Sequence, residues 1–423
     1  MSARSRLERA LAGEPDDRAF LPFLVVFAVY LAIRGVGYDI FRLLVPLALL
    51  LLVPQARRVA ALAALVVEVA ATRSLIYHLS NHGFLEMLLL GLLAAVSTRT
   101  AAGRTAFVRT LMALFVVFVL WTGLKKLLHG FYPDLDYFTI EAASWGGSKF
   151  GEAFRHALGP ADRATLEAYQ RSLHAWALTA TAGAVYAPPV PQAGAIPALS
   201  ALFSIATLAA ELGLPFLLIP RRTRSAAALG LAAFILCVEV VAREWHFALL
   251  FGALLLPFLP ASWLGRFRSA EGDASQRPLP PLTLAAASLA VAVVAIWPAV
   301  QFELTRSWDL DPWKLGGLAM YAAPARWSAE RANTAPPIEV RTAADPTWRP
   351  LSTREPGVPV RALEAEAGAL LHAPHARGPA ERIAAIVRAR RPDATGIRIH
   401  IRGVSFDRSV GRFRLEEWVS EPP

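Results

Sequence analysis

Two adjacent lysines end a strongly apolar stretch of the chain. Lys125 and Lys126 follow the run FVVFVLWTGL, and His129, Asp134 and Asp136 come shortly after them. An amine at the end of a membrane helix usually extends to the lipid headgroups, and we favour this anchoring interpretation for Lys125. Neighbouring residues on a helix point about 100° apart, so the two side chains cannot both face the same solvent.

Lys126 is the candidate catalytic residue of this stretch. A lysine that turns into a poorly solvated cavity, close to a second ammonium group, favours its neutral amine form. A neutral amine can accept a proton and therefore serves as a general base. The residues alone leave the alternative open, in which both lysines are interfacial anchors.

The composition is that of a membrane protein. Hydrophobic residues make up 55% of the 423 residues and only 18% are charged, and the mean hydropathy is +0.42, which is too apolar for an ordinary soluble chain. The net charge of +10 comes from basic residues spread through short loops, which argues against nucleic acid as a partner. Cys237 is the single cysteine, so neither an intrachain disulfide nor a cysteine metal site can form.

Apolar runs that could cross about 30 Å of hydrocarbon recur along the chain. The sequence therefore predicts an all-α polytopic membrane bundle of about nine transmembrane helices. Several runs are shorter than the roughly 20 residues expected of a span, so seven to nine helices would fit the pattern. The runs are 20–38, 40–54, 59–76, 83–98, 106–124, 196–219, 225–242, 246–260 and 281–301.

The placement of arginine predicts the orientation, since cytoplasmic loops carry more Lys and Arg than outer loops. With nine spans and a cytoplasmic N-terminus, the long segment 125–195 and the C-terminal tail are both extracytoplasmic. The short outer loops then contain only Arg34, Arg42, Arg73 and Arg243. The inner segments contain Arg4, Arg6, Arg9, Arg57, Arg58, Arg99, Arg104, Arg109, Arg221, Arg222, Arg224, Arg266, Arg268 and Arg277.

Changes of composition divide the chain into three parts. Residues 1–19 lack an apolar core followed by a cleavage site and are predicted to be a cytoplasmic amphipathic lead-in. Residues 20–335 form the predicted transmembrane domain, with an extracytoplasmic helical insertion at about 125–195. Residues 336–423 have the composition of a small soluble α+β domain, so the bundle is followed by a C-terminal α/β domain.

Local patterns predict the elements of the two outer segments. In the C-terminal domain, PAERIAAIVRARRPD has helical periodicity with Pro379 and Pro392 near its ends, and GIRIHIRGVSF alternates as a strand does. GRFRLEEWV is the predicted hairpin partner of that strand. In the insertion, GEAFRHALGP and ADRATLEAYQRSLHAWALTA are predicted to be interfacial helices.

Ionisable residues inside or beside the apolar runs are costly and need a reason. Each glutamate taken singly is about as well explained by a structural hydrogen bond as by function, but together they indicate a polar cavity. These residues are Glu68, Glu86, Glu211, Glu239, His78, His82, His129 and His246. The sequence has no metal-binding, nucleophile-elbow, Walker or dinucleotide motif, which argues against a metal site and against hydrolase, ATPase and Rossmann functions.

LKKL followed by DLDYF, together with SNHGFLEMLLLGLL at 80–93, resembles a known family. It is that of the vitamin K-dependent γ-glutamyl carboxylase and of the bacterial membrane proteins that share its horizontally transferred transmembrane (HTTM) domain. SWDLDPWKLGGLAMYAAPARW at 307–327 is a weaker likeness. The resemblance covers roughly residues 20–330 in order and topology, while identity is confined to these motifs.

The resemblance implies an enzyme that couples oxidation of a lipid quinol to carboxylation. Lys126 would be the base that deprotonates reduced vitamin K or a menaquinol-type quinol, and His82 would place or neutralise charge in the same site. In the family, oxygen attack on the deprotonated quinol makes a stronger base, which removes a proton from carbon next to a carboxylate so that carbon dioxide adds.

Further residues are assigned a supporting role by the same resemblance. Lys125, Asp134 and Asp136 belong to the lysine motif. The family commonly has a Phe-His pair in a late span, where this chain offers Glu239 or His246.

The sequence is therefore compatible with two functions of different class. The first is a carboxylase-like enzyme of the bacterial inner membrane. Its partners are membrane lipid, a lipid quinone and a peptide or small acidic substrate on the outer side, and not nucleic acid. The second is a non-catalytic membrane scaffold or transporter-like component. Its outer domain would bind a partner, and its intramembrane glutamates would hold helices together.

Overall fold

The computed structural model divides the chain into two compact units. The helical unit contains the described residues up to His129 and those of Ile205–Gln301. The mixed unit contains Gly130–Ser204 and the described residues after Gln301. The described residues are 17–37, 42–73, 81–144, 149–242, 245–264, 279–308, 327–328, 338–351, 363, 366–368, 370–371 and 377–422.

Helices make up most of the described chain. The first eight are α1 (Phe20–Gly37), α2 (Leu44–Leu51), α3 (Arg57–Arg73), α4 (Asn81–Ala95), α5 (Ala101–His129), α6 (Tyr137–Ala143), α7 (Lys149–Ala157) and α8 (Pro160–Thr179). A π-helical segment, Ala209–Gly213, joins α9 (Ile196–Leu208) to α10 (Leu214–Leu218). The remaining helices are α11 (Arg224–Ala242), α12 (Trp245–Leu255), α13 (Ala261–Leu264), α14 (Pro281–Trp308) and α15 (Arg377–Arg390).

Four helices of the described chain are long and apolar enough to cross a membrane, where about nine were predicted. They are Ala101–His129, Ile196–Leu218, Arg224–Ala242 and Pro281–Leu304. Phe20–Val36, His82–Ala95 and Phe247–Phe258 are apolar but shorter. The other predicted runs fall short for two reasons. The helix within 40–54 has only eight residues, and α3 carries Arg57, Arg58, Glu68 and Arg73, whose charges oppose burial in hydrocarbon.

Aromatic rings form much of the core of the helical unit. The Phe20 and Phe107 rings join α1 to α5 at 5.5 Å between centroids, and Phe251 of α12 lies 5.8 Å from Phe118 of α5. Large rings bury much apolar area each and prefer such tilted or edge-on pairs. The packing fixes α5, which carries the two lysines, against both α1 and α12.

An antiparallel sheet forms the C-terminal part of the mixed unit. Its strands are β1 (Trp327–Ser328), β2 (Ile338–Thr342), β3 (Arg349–Pro350), β4 (Ala394–Asp407) and β5 (Arg412–Ser420). Strand β4 pairs with β5, β2 and β1, and β3 pairs with β2. The predicted strand GIRIHIRGVSF and its hairpin partner GRFRLEEWV are therefore confirmed as β4 and β5. The predicted helix is confirmed as α15, which ends before Pro392 because proline disfavours helix in the residue before it.

The insertion packs with this sheet in the mixed unit. Its two predicted helices correspond to α7 and α8, and a short extended piece after α8 lies along β5. There the Tyr186 amide donates to Phe413 O at 2.8 Å and the Leu415 amide donates to Ala184 O at 3.0 Å. The Arg402 guanidinium donates to Ala180 O at 2.8 Å, where α8 ends. Residues 130–195 and the described residues of 336–423, which were predicted as separate segments, thus belong to one folded unit, while residues 125–129 end α5 in the helical unit.

Some sequence predictions fall on residues outside the described set. The lead-in is described only from Asp17, and His78 is not included. Of the family-like segment 307–327, only Ser307, Trp308 and Trp327 are described.

Candidate functional site

Both lysines of the opening motif are buried at the end of α5. Lys125 is 0% exposed and Lys126 is 1% exposed, while the neighbouring Leu124, Leu127 and Leu128 are exposed. Lys125 therefore does not extend its ammonium group to the surface, contrary to the anchoring interpretation. The helix turns its leucines outward and both amines inward.

Lys126 pairs with Glu211 of the π-helical segment. The Lys126 Nζ donates to Glu211 Oε1 at 2.8 Å and lies 2.7 Å from Oε2. Both groups are buried within helices that could span a membrane. A buried charge is tolerated when it is paired and hydrogen-bonded, so the two side chains depend on each other. The sequence placed Glu211 in an apolar run but did not connect it with Lys126.

The local sequence explains why Glu211 lies in a π-helical turn. Pro215 comes four residues after Glu211 and has no N–H to donate to the Glu211 carbonyl. A proline ring also crowds that carbonyl, and a single wider turn relieves both conflicts. Gly123 allows this turn to approach α5, because a Cβ at position 123 would lie 2.9 Å from Leu212 Cγ and 3.1 Å from Glu211 Cβ.

Gly123→Ala is expected to destabilise the protein by about 1–3 kcal/mol, the usual cost of overpacking a filled core. The added methyl group must push the π-helical segment away from α5 and so lengthen the Lys126–Glu211 contact. Equilibrium unfolding in detergent micelles measures the loss. The control is Gly252→Ala in α12, where an added Cβ meets nothing within 4 Å. Equal stability of the two variants would contradict the proposed close contact.

Lys125 has a different partner from Lys126. Its Nζ donates to Gln301 Oε1 of α14 at 2.9 Å, and Gln301 is 0% exposed. One turn earlier on α5, Trp121 Nε1 donates to Ala295 O of α14 at 3.1 Å. The two amines thus face different helices, as the angle between successive helical residues requires.

His82 lies in the core of the helical unit, against α12. Its ring stacks on Phe247 with 3.5 Å between centroids and meets Phe251 at 5.6 Å. Phe251 in turn contacts Phe118, which is eight residues, or about 12 Å of helical rise, before Lys126. The described contacts therefore bring Lys126 together with Glu211, and His82 together with the aromatic residues of α12.

A second buried polar cluster includes two of the glutamates found in the sequence. Arg34 donates to Glu68 at 3.1 Å and also contacts Glu86, and the Tyr30 hydroxyl donates to Glu86 Oε2 at 2.9 Å. Arg34 was assigned to an outer loop but lies in the last turn of α1, with its side chain 11% exposed. Glu86 is one turn after His82 on α4, so the two share a helix face.

The two aspartates of the motif belong to the mixed unit. Asp134 pairs with Arg408 at 2.7 Å, and Asp136 immediately precedes α6. Burial, followed by repulsion from Asp134, raises the pKa of Asp136 to about 6, against a backbone hydrogen bond and the attraction of Arg408. A group with this pKa is partly protonated near neutral pH.

The other two supporting residues lie on consecutive helices. Glu239 is buried on α11, at 3% exposure. His246 lies in α12, but its side chain is outside the described set.

Gln301 was not among the residues named from the sequence, and Glu211 was named only as one of the ionisable residues that together indicate a polar cavity. Glu211 and Gln301 are single polar residues within long apolar runs, which was a usable signal. The sequence could not show which of several such residues would meet a given lysine.

Comparisons with family models, with curated proteins and with solved structures found no match.

Proposed function

We propose that this protein is a membrane-embedded, vitamin K-dependent carboxylase-like enzyme in which Lys126 accepts a proton from a lipid quinol. The observation that carries the proposal is the burial of the Lys126 amine beside the Glu211 carboxylate, in helices able to cross a membrane. Ionisable groups at such positions are rare and are concentrated at functional sites. The motifs around His82 and Lys126 give the proposal its chemical class.

The Lys126–Glu211 pair is suited to proton transfer. The pair can hold one proton either as ammonium and carboxylate or as amine and carboxylic acid. As an amine, Lys126 Nζ has a lone pair that accepts a proton. The base is therefore the pair after it has lost its proton, with the amine beside an ionised Glu211. When Lys126 then accepts a proton, the ammonium group lies 2.8 Å from a carboxylate oxygen, which stabilises its charge without rearrangement of solvent.

The residues near His82 suit an aromatic ligand with an apolar tail. Phe247 and Phe251 contact the His82 imidazole with a ring face and an edge, Phe118 packs against Phe251, and aromatic ligands stack on such surfaces. A bound quinol, once deprotonated and oxidised by dioxygen, would supply the strong base that removal of a proton from carbon next to a carboxylate requires. His82 would stabilise negative charge in the site, and Lys125 would place a second amine at the same end of α5.

The proposal includes a location and an orientation. The arginine distribution favours a bacterial inner membrane with a cytoplasmic N-terminus. The mixed unit would then be extracytoplasmic and would receive a peptide or a small acidic substrate. The four helices that are long and apolar enough to cross a membrane are compatible with a membrane protein. An extracytoplasmic mixed unit would need a further crossing, such as the shorter apolar helix Phe247–Phe258, between Ser204 and the residues after Gln301.

A non-catalytic scaffold is the second candidate, and one observation favours it. The Lys126–Glu211 and Arg34–Glu68 groups are joined by direct ion pairs. Polar contacts of this kind hold membrane helices together without any catalytic role. Under this alternative, a pair of apolar residues of similar size could replace Lys126 and Glu211 without loss of function.

Lys126→Met is expected to lower quinol turnover by about 10²–10⁴-fold, the usual contribution of a general base. The full-length protein in lipid nanodiscs would be supplied with menaquinol, labelled bicarbonate and a glutamate-rich peptide. Mass spectrometry would measure both quinol consumption and label in the peptide. A matched control is Arg390→Met, which removes an exposed cation at the end of α15. Turnover that survives in a folded Lys126→Met variant, or wild-type protein that consumes no menaquinol, would favour the scaffold.

A further inference from the structure

The turn between α5 and α6 holds a leucine in a conformation that leucine rarely adopts. Leu135 has φ 63°, and it is the single non-glycine residue with positive φ among those that the structure describes. A bulky residue remains in this left-handed region only where its surroundings hold it there. Ser200 Oγ provides one such restraint by donating to Leu135 O at 2.7 Å, and the Leu135 amide donates to Tyr132 O at 3.0 Å.

Asp136 occupies the N-cap position of α6 but does not cap the helix. Aspartate at this position normally has an extended backbone and accepts a hydrogen bond from an amide of the first turn. Asp136 instead has φ −110° and ψ −6°, and its carboxylate makes no cap hydrogen bond. Its Oδ1 is buried and has no hydrogen-bond partner among the residues that the structure describes. One oxygen of the carboxyl group thus lacks the donor that an ionised carboxylate needs, although a backbone hydrogen bond and Arg408 favour the charge.

The charges around Asp136 are unequal. Asp134, two residues earlier, already pairs with Arg408, whose guanidinium also packs over the Phe131 ring and against Gly130, where φ is +82°. The described contacts of this turn include the phenols of the Tyr132–Tyr137 stack and the uncharged Ser200 of α9. Arg408 therefore forms its ion pair with Asp134, and Asp136 is partly buried without a direct ion pair to Arg408.

We propose that the turn Gly130–Asp136 is a two-state switch that responds to pH through Asp136. With Asp136 protonated, the turn has the conformation seen here, with Leu135 left-handed. With Asp136 ionised, the carboxylate turns to the backbone amides of Phe138 and Thr139, the second and third residues of α6, and caps the helix. Capping requires an extended ψ at position 136, and this rotation of the peptide releases Leu135 from its left-handed conformation.

The direction of the pH response follows from the raised pKa of Asp136. Its value of about 6 lies above the 3.8 of an unperturbed aspartate. The conformation seen here binds the proton more tightly, so it is fully stabilised below about pH 4 and loses that stabilisation as the pH rises through about 6. This switch does not depend on the chemistry proposed for Lys126, although the turn directly continues the helix that carries it.

Hydrogen exchange of the full-length protein in nanodiscs tests the switch at about pH 5 and about pH 8, on either side of this pKa. The amides of Asp134, Leu135 and Asp136 donate within the turn. After correction for intrinsic exchange, peptides covering them are expected to exchange about tenfold faster at the higher pH, the factor that corresponds to one pKa unit.

Two variants separate the switch from a general effect of pH. Asp136→Leu can neither ionise nor cap, and it is expected to abolish the difference between the two pH values. Leu135→Gly lowers the free-energy cost of the left-handed conformation and is expected to reduce the difference in exchange between the two pH values. This variant keeps the proposal testable if Asp136→Leu does not fold. Asp393→Asn, at an exposed aspartate, should leave the difference unchanged. Equal corrected exchange of the wild type at both pH values, or a full response in either turn variant, would overturn the proposal.

Discussion

Glu211→Ala is expected to destabilise the protein by about 3–5 kcal/mol, the usual cost of removing one partner from a buried ion pair. The variant leaves the Lys126 amine inside the helical unit, 1% exposed, without the carboxylate that lies 2.8 Å away. Equilibrium unfolding of the purified protein in mixed micelles measures the loss. Glu381→Ala removes an exposed glutamate from α15 and should change the stability by less than about 0.5 kcal/mol.

The double variant Lys126→Met/Glu211→Leu separates the structural role of the pair from its chemical role. Apolar residues of similar volume often replace a buried ion pair with little loss of stability, because no charge then remains to be desolvated. We expect the double variant to be more stable than Glu211→Ala and yet inactive in quinol turnover. A double variant that is as unstable as Glu211→Ala would show that the pair is not energetically coupled. One that is stable and fully functional would support the scaffold.

Arg34→Met is expected to lower the free energy of unfolding by a similar amount, about 3–5 kcal/mol. The guanidinium contacts both Glu68 and Glu86, and each of these side chains is 0% exposed. Removing the cation leaves two carboxylates close together in the helical core, where each is costly and they repel each other. The same unfolding measurement applies, with Arg222→Met as the control at an exposed arginine of the same unit.

Neutralising the two glutamates should reverse most of that loss. In Arg34→Met/Glu68→Gln/Glu86→Gln, the amides fill the same space without charge, so the triple variant should be more stable than Arg34→Met alone. If the triple variant were instead the less stable of the two, the loss in Arg34→Met would come from packing rather than from charge. The Tyr30 hydroxyl, which donates to Glu86, keeps an acceptor in the triple variant.

The strongest sequence predictions were those that depend on local pattern. The alternation of GIRIHIRGVSF predicted β4, and GRFRLEEWV, predicted as its hairpin partner, is β5. The helical period between Pro379 and Pro392 predicted α15. In these segments, neighbouring residues decide which face is buried, and the pattern records that choice. The predicted number of about nine spans was not supported, since four described helices are long and apolar enough. Hydropathy measures how apolar a run is but not how far its helix continues. The run 40–54 forms a helix of only eight residues.

The sequence could not identify the partners of the buried charges. Lys126 and Glu211 are 85 residues apart, Lys125 and Gln301 are 176 apart, and Asp134 and Arg408 are 274 apart. A polar residue in an apolar run indicates that it needs a partner, because burying an isolated charge there costs too much free energy. It does not say which of the other polar residues will meet it.

The sequence by itself determined that this chain is apolar enough for a membrane, that its last part contains a helix and a hairpin, and that Lys125 and Lys126 require an explanation. The tertiary structure alone decided that both lysines are buried, that Glu211 and Gln301 receive them, and that His82 stacks on Phe247. Composition and periodicity act through each residue's own neighbours along the chain. Ion pairing and ring packing depend instead on which distant helices approach, and Gly123 and the π-helical turn set that approach on α5.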